Sequence, residues 1–135
     1  MLAVNAYSGE AIAAARARVD AQLAAYRKFA ASAGAKERAA FEPGFFAAMV
    51  LALDRYFVHR TRALEKKDGN PLNEVRMICA SLTEGDGTLK ADPTIKYDPA
   101  KSVTGLKLGE PIVLDAERFA ALAKAFFAEI AAKFG

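Results

Sequence analysis

Apolar side chains recur every three or four positions along most of this chain, which is the spacing of amphipathic helices. Four stretches show the pattern, and they predict helices over residues 9–33, 43–67, 71–83 and 116–134. Between the last two stretches, residues 88–114 lose the helical period. The pattern therefore predicts a mainly α fold, a four-helix-bundle-like single domain with a short irregular or β-hairpin segment before the last helix.

The residues at the ends of these stretches support the predicted boundaries. Ser8, Asn70 and Asp115 each come directly before a predicted helix, where a short polar side chain caps exposed backbone N–H groups. Pro43 is placed at the first position of the second helix, where its missing N–H is tolerated. Gly34 is expected to end the first helix in a left-handed turn.

The segment before the last helix carries turn signals instead of a helical pattern. Asp-Pro pairs stand at 92–93 and 98–99, and a residue before proline avoids the helical region. Residues 102–114 are predicted as two short strands around Gly109-Glu110. We expect this segment to cover the side of the bundle that the short third helix leaves open.

Two helical stretches carry an unusual amount of apolar surface. The apolar stripe of the first helix is rich in alanine, and Phe45–Leu53 is apolar on almost every side of the second helix. A helix that is apolar all round is usually a central one. Together these stretches offer more apolar surface than four helices of such lengths bury, so we predict self-association as a homodimer.

Composition and charge narrow the classes of partner. Of the 135 residues, 53% are hydrophobic and 26% are charged, which is typical of a globular protein. The formal net charge of +3 is a weak excess, and without a helix-turn-helix spacing it argues against a nucleic-acid partner. The chain carries neither a basic secretion signal at its start nor an apolar run of ~18 residues. We expect a cytoplasmic protein with no membrane partner.

The scarcity of ligating and nucleophilic side chains removes several kinds of site. His59 and Cys79 are the single histidine and the single cysteine, whereas zinc and di-iron sites need several such ligands. Cys79 lies in the middle of an apolar helical stripe, where a thiol is usually a core residue. No glycine-rich phosphate loop or nucleophile motif is present. We therefore expect no metal, no cofactor and no catalytic residue.

One polar pattern stands out on the second predicted helix. Arg55, His59, Arg62 and Lys66 follow one another at spacings of four, three and four, which places them in a single line on a helix. We call these four residues the basic row. Arginine and protonated histidine bind phosphate or carboxylate groups well, and Lys96-Tyr97 is expected to fold over the row. A plain solvated helix face is the alternative interpretation, and it is the one that such rows usually have.

Two functional hypotheses follow from these patterns, and no motif identifies a family. The first is a non-enzymatic interaction or small-ligand-binding module that self-associates. The second is an enzyme or sensor that binds a small anionic molecule at the basic row, with Lys96 and Tyr97 as further candidate ligand-binding residues. The two differ in whether the row is solvated or is covered by another segment or chain.

Overall fold

A computed structural model describes residues 3–135 of the chain as a helical bundle. Five helices follow one another: α1 (Gly9–Ser32), α2 (Ala35–Arg55), α3 (Arg62–Glu65), α4 (Pro71–Thr83) and α5 (Ala116–Phe134). Among the described residues, β pairing is limited to three isolated bridges. The predicted mainly α, bundle-like fold is thus confirmed. None of the described helices has the length and apolar character that crossing a membrane requires.

The helices with the clearest capping residues lie where the sequence predicts them. The side-chain oxygen of Asn70 accepts hydrogen bonds from the backbone N–H of Leu72 (2.9 Å) and of Asn73 (3.3 Å) at the start of α4. Asp115 accepts from the backbone N–H of Arg118 at 2.8 Å and begins α5. At α1, Ser8 accepts from the N–H of Ala11 at 3.1 Å. These side chains satisfy donors that the first helical turn cannot pair internally.

The helix predicted over residues 43–67 has different limits at both ends. α2 begins at Ala35, because residues 35–42 consist mostly of strong helix formers. Pro43 therefore lies inside α2 and not at its first position. Gly34 does not form a left-handed turn either; its φ of −69° is extended, and it precedes α2 directly.

An arginine side chain folds back onto the chain just after the C-terminal end of α2. The helix ends at Arg55, and residues 56–61, which we call the connector, lead to the single turn of α3. The guanidinium of Arg60 folds back and donates to the carbonyl oxygen of Phe57 at 2.9 Å. Cationic side chains stabilise the free carbonyls at a helix end in this way. His59 in the connector and Lys66 after α3 adopt left-handed backbone angles, with φ of 61° and 69°.

The two strands predicted within residues 102–114 do not form. Instead, this stretch pairs with the chain after α4, through a single bridge between Thr88 and Pro111. The buried carboxylate of Glu74 explains the difference, because it accepts from the backbone N–H of Val103 (2.9 Å) and of Thr104 (3.0 Å). Donors held by a side chain are not free for a strand ladder. The segment is therefore irregular and is fixed to α4.

α5 occupies the centre of the bundle. It packs against α1, α2, α3 and α4. From α5, the fully buried rings of Phe119, Phe126 and Phe134 join Phe46 of α2 and Phe57 of the connector in a phenylalanine-rich core. The central position expected for the second predicted helix belongs to α5 instead. In α2, Phe41 is 44% exposed, and Ala48 is also exposed.

Candidate functional site

A buried carboxylate lies at the junction of the connector, α3 and α4. Glu65 is 0% exposed and contacts three arginines. Its Oε2 lies 2.7 Å from Nε of Arg60, and its Oε1 lies 3.2 Å from Nη1 of Arg62 and 2.6 Å from Nη2 of Arg76. A buried carboxylate is stable only when such partners replace its hydration. Glu65 therefore fixes the positions of three guanidinium groups from three parts of the chain.

Arg60 is the most deeply buried of these arginines, with 6% of its surface exposed. Its Nη2 lies 2.9 Å from Oδ1 of Asp54, and its guanidinium lies over the ring of Phe126, 5.5 Å from the centroid. Burial by itself lowers the pKa of Arg60, but the carboxylates of Asp54 and Glu65 raise it, and the net pKa is above the ordinary value. Arg60 is therefore a permanent structural cation between two carboxylates.

The N-terminal segment holds the connector against the bundle. The backbone N–H of Val4 donates to the carbonyl oxygen of His59 at 2.7 Å, and the N–H of Thr61 donates to the carbonyl oxygen of Val4 at 2.9 Å. The hydroxyl of Tyr7 donates to the carbonyl oxygen of Val58 at 2.7 Å. Connector residues on both sides of Arg60 are thereby fixed.

Next to this network is a cavity of about 790 Å³ between α2, the connector and α4. We call it the arginine cavity. One part of its lining is apolar: Leu51, Ala52, Phe57, Val58, Cys79 and Ala80. The other part is polar and mostly cationic: Asp54, Arg55, His59, Arg60, Arg62, Arg76, Thr83 and Glu84. A lining that combines apolar side chains with a few charged groups is typical of small-molecule sites.

Comparison with known proteins identifies no relative. No family model matches the chain, and no curated protein or solved structure shows significant similarity to it. What the cavity can bind must therefore be inferred from its own residues.

The basic row is not a continuous line on one helix, because α2 ends at Arg55. Arg55, His59 and Arg62 nevertheless line the arginine cavity together, from α2, the connector and α3 in turn. Lys66 does not line it; this exposed residue follows α3 and precedes the turn to α4. The left-handed φ angles of His59 and Lys66 change the direction of the chain twice within eight residues. Three of the four row residues therefore meet at the cavity because of the tertiary fold, and not because of their spacing on one helix.

Lys96 and Tyr97 do not cover the row. The backbone N–H of Lys96 donates to the carbonyl oxygen of Lys67 at 2.7 Å, and the hydroxyl of Tyr97 donates to the carbonyl oxygen of Leu106 at 2.5 Å. Neither residue lines the arginine cavity. Their segment touches the row where Nη2 of Arg62 donates to Oγ1 of Thr94 at 3.1 Å. Through these contacts Lys96 joins the irregular segment to the chain after α3, and Tyr97 bonds within the segment.

Arg60, Arg76 and the central position of Glu65 are the features that the sequence pattern does not identify. Arg60 belongs to the same run of polar residues as the row, and only its burial distinguishes it. Arg76 is on the partly exposed side of α4, where an ordinary surface ion pair is expected. A signal does exist in the sequence: Glu65 follows the apolar Leu64 and precedes a helix whose core face is strongly apolar.

Guanidinium donors remain free at the mouth of the cavity. Arg55 is exposed, and within the described part of the chain it has no ion pair. Nη2 of Arg76 donates a hydrogen bond to Glu65. The guanidinium of Arg62 donates to Glu65, Asn73 and Thr94. Four cavity arginines face Asp54, Glu84 and the adjoining Glu65, so that positive charge is in excess. The described residues contain no cluster of three acidic, histidine or cysteine side chains that could hold a metal.

Cys79 is a core residue, as its position in the sequence pattern predicts. It is 7% exposed, and its thiol donates to the carbonyl oxygen of Val50 at a distance of 3.4 Å. Burial raises the pKa of Cys79 to about 12. The thiol is therefore protonated and weakly nucleophilic at neutral pH.

Labelling of Cys79 tests this placement. At pH 8 we expect a maleimide or disulfide reagent to react with the native protein at least about a hundredfold more slowly than with the protein unfolded in urea, because burial restricts both access and ionisation. The rate is followed by mass spectrometry. Rapid labelling of a protein that keeps its helical circular dichroism would contradict the placement.

The variant Glu65→Gln tests the role of the buried carboxylate. Neutralising Glu65 leaves Arg60 with Asp54 as its one carboxylate and removes the ion pairs of Arg62 and Arg76, so we expect the free energy of unfolding to fall by about 3 kcal/mol or more. Urea unfolding followed by circular dichroism measures the change. The control is Glu84→Gln, because Glu84 is exposed and is not ion-paired in the described structure. Equal effects of the two variants would refute the role of Glu65.

Proposed function

We propose that this protein is a non-enzymatic module that binds a small anionic molecule in the arginine cavity. The observation that carries the proposal is that Arg55, Arg62 and Arg76 line one cavity together with apolar residues of α2, the connector and α4. Guanidinium groups offer paired N–H donors that match carboxylate and phosphate oxygens. Because Glu65 already holds two of these arginines in place, an incoming anion would meet them with little further loss of side-chain entropy.

The charges of the cavity support an anion over a cation or a neutral ligand. Asp54 is occupied by Arg60 at 2.9 Å, and Glu65 is buried beneath the arginines. Arg55 and the remaining N–H groups of Arg76 are therefore the polar groups that a ligand reaches. A bound anion would relieve the repulsion between these cations, which supports binding beyond the contacts themselves.

An enzyme or sensor acting on such an anion is the alternative. The thiol of Cys79 lies at the cavity but is unsuited to nucleophilic attack, because its pKa is about 12. His59 also lines the cavity and would be the candidate acid–base group of an enzyme. Binding without catalysis is the simpler proposal, since it requires only the cationic side chains that line the cavity.

Thermal unfolding with added anions tests the proposal. Phosphate, sulfate or acetate at ten times its dissociation constant should raise Tm by about 3–6 °C, and sodium chloride of equal ionic strength should raise it less. Arg55→Ala should weaken binding about tenfold, which corresponds to the loss of one charge-assisted contact. The matched control is Arg27→Ala, since Arg27 is exposed on α1 and does not line the cavity. No anion-specific shift in the wild type, or the same loss in both variants, would contradict the proposal.

We propose self-association separately, and through a surface other than the stretch Phe45–Leu53 that the sequence pattern indicated. Most of Phe45–Leu53 packs inside the chain, because Phe46, Met49, Val50 and Leu53 are buried. The exposed aromatic surface lies instead where α1 and α2 meet: Phe29 is 39% exposed and Phe41 is 44% exposed, and their ring centroids are 5.0 Å apart. A pair of exposed rings is an unusual surface feature and supports a contact there.

Light scattering tests the predicted homodimer. We expect a dimer at micromolar concentration, and Phe41→Ser should shift the population toward monomer by removing apolar contact area. Leu108→Ser is the control, because Leu108 is 50% exposed but lies in the irregular segment before α5. A wild-type protein that stays monomeric at high concentration would refute the dimer without affecting the cavity.

A further inference from the structure

A second cavity adjoins the arginine cavity along α4. It has a volume of about 300 Å³ and lies between α4 and the segment that follows it. The two cavities share the lining residues Ala80 and Glu84. Met77, Ala91 and Pro93 form apolar parts of the second lining. The two cavities therefore meet at Ala80 and Glu84, and we call them together the groove.

On α4, the two residues that both cavities share lie one and two turns beyond Arg76. Arg76, Ala80 and Glu84 are spaced by four residues and lie on one face of the helix, with Glu84 as its C-terminal cap. At 1.5 Å per residue, Ala80 is ~6 Å from Arg76 along the helix axis, and Glu84 is ~12 Å from it. Where the two cavities meet, Ala80 presents only a methyl group. A ligand that begins at Arg76 can therefore extend past Ala80.

The two cavities differ in charge. The arginine cavity has an excess of positive charge, whereas the second cavity is lined by Lys90, by Asp92 and by the shared carboxylate of Glu84. Lys90 is also 3.5 Å from Asp86 outside the cavity. An anionic group would therefore be stabilised at the first end and repelled at the second.

From this asymmetry we infer that the ligand is an elongated monoanion, with one carboxylate or phosphate group at the arginines and an uncharged, mainly apolar chain that runs over Ala80 into the second cavity. This inference rests on the proposed function and specifies its ligand class. The apolar part of the arginine cavity accommodates the first carbons of the chain, among them the side chains of Leu51, Ala52 and Val58. An extended chain advances ~1.2 Å per bond, so that eight carbons reach beyond Ala80.

A chain-length series tests the inference. Dissociation constants for butyrate, hexanoate, octanoate and decanoate, kept below their micelle concentrations, are measured from amide chemical shifts. We expect affinity to rise about threefold for each methylene that the groove buries. Octanedioate should bind about tenfold more weakly than octanoate, because its second carboxylate would enter the negatively charged end.

The variant Ala80→Leu closes the passage between the cavities. It should gain no affinity from hexanoate to decanoate, whereas Ala121→Leu, at an exposed position of α5, should behave like the wild type. Equal affinity for all four acids in the wild type, or an unchanged chain-length dependence in Ala80→Leu, would overturn the inference. If Ala80→Leu does not fold, the wild-type series decides alone. If the proposed anion binding itself is wrong, the result is different, because the wild type then binds neither butyrate nor phosphate.

Discussion

The rest of the site depends on the burial of one carboxylate. Glu65 has no exposed surface and contacts Arg60, Arg62 and Arg76, which come from the connector, α3 and α4. Removing a carboxylate from water is unfavourable by several kcal/mol unless charged donors replace the water, so folding must bring the arginines to it. The end of α2, the path of the connector and the orientation of α4 are all tied to this requirement.

The same ion-pair network holds guanidinium groups in positions suited to binding, whereas without it they would be mobile in solvent. Surface arginines are mobile, and holding one in place for a ligand opposes binding through the loss of side-chain entropy. In this protein Arg62 and Arg76 both donate to Oε1 of Glu65, which fixes their positions. Arg55 remains exposed at the cavity. A structural ion-pair network thereby supplies the preorganised cations that anion binding needs.

Local signals in the sequence predicted the helices whose limits depend on local contacts. α4 and α5 have the predicted bounds because Asn70 and Asp115 cap them through neighbours two and three residues away. The second helix was predicted with the wrong limits. The chain after Arg55 is held by tertiary contacts that a helical pattern does not contain: Arg60 donates to the carbonyl of Phe57, and Val4 pairs with the connector. The basic row shows the same dependence on tertiary contacts. Helical spacing identified Arg55, His59 and Arg62, but Arg76 reaches the cavity only through tertiary packing. The other predicted ligand-binding residues, Lys66, Lys96 and Tyr97, do not line the cavity.

The most direct test of the account is an NMR titration that observes the arginine side chains themselves. During addition of phosphate or acetate, the Nε–Hε resonances of Arg55 and Arg76 should shift and saturate together. The resonance of Arg60, which is held by Glu65 and Asp54, should stay in place, and those of Arg18 and Arg27 on the exposed side of α1 should not move. Shifts that never saturate, or that are equal for the cavity and the α1 arginines, would show that anions only screen the surface and would contradict the account.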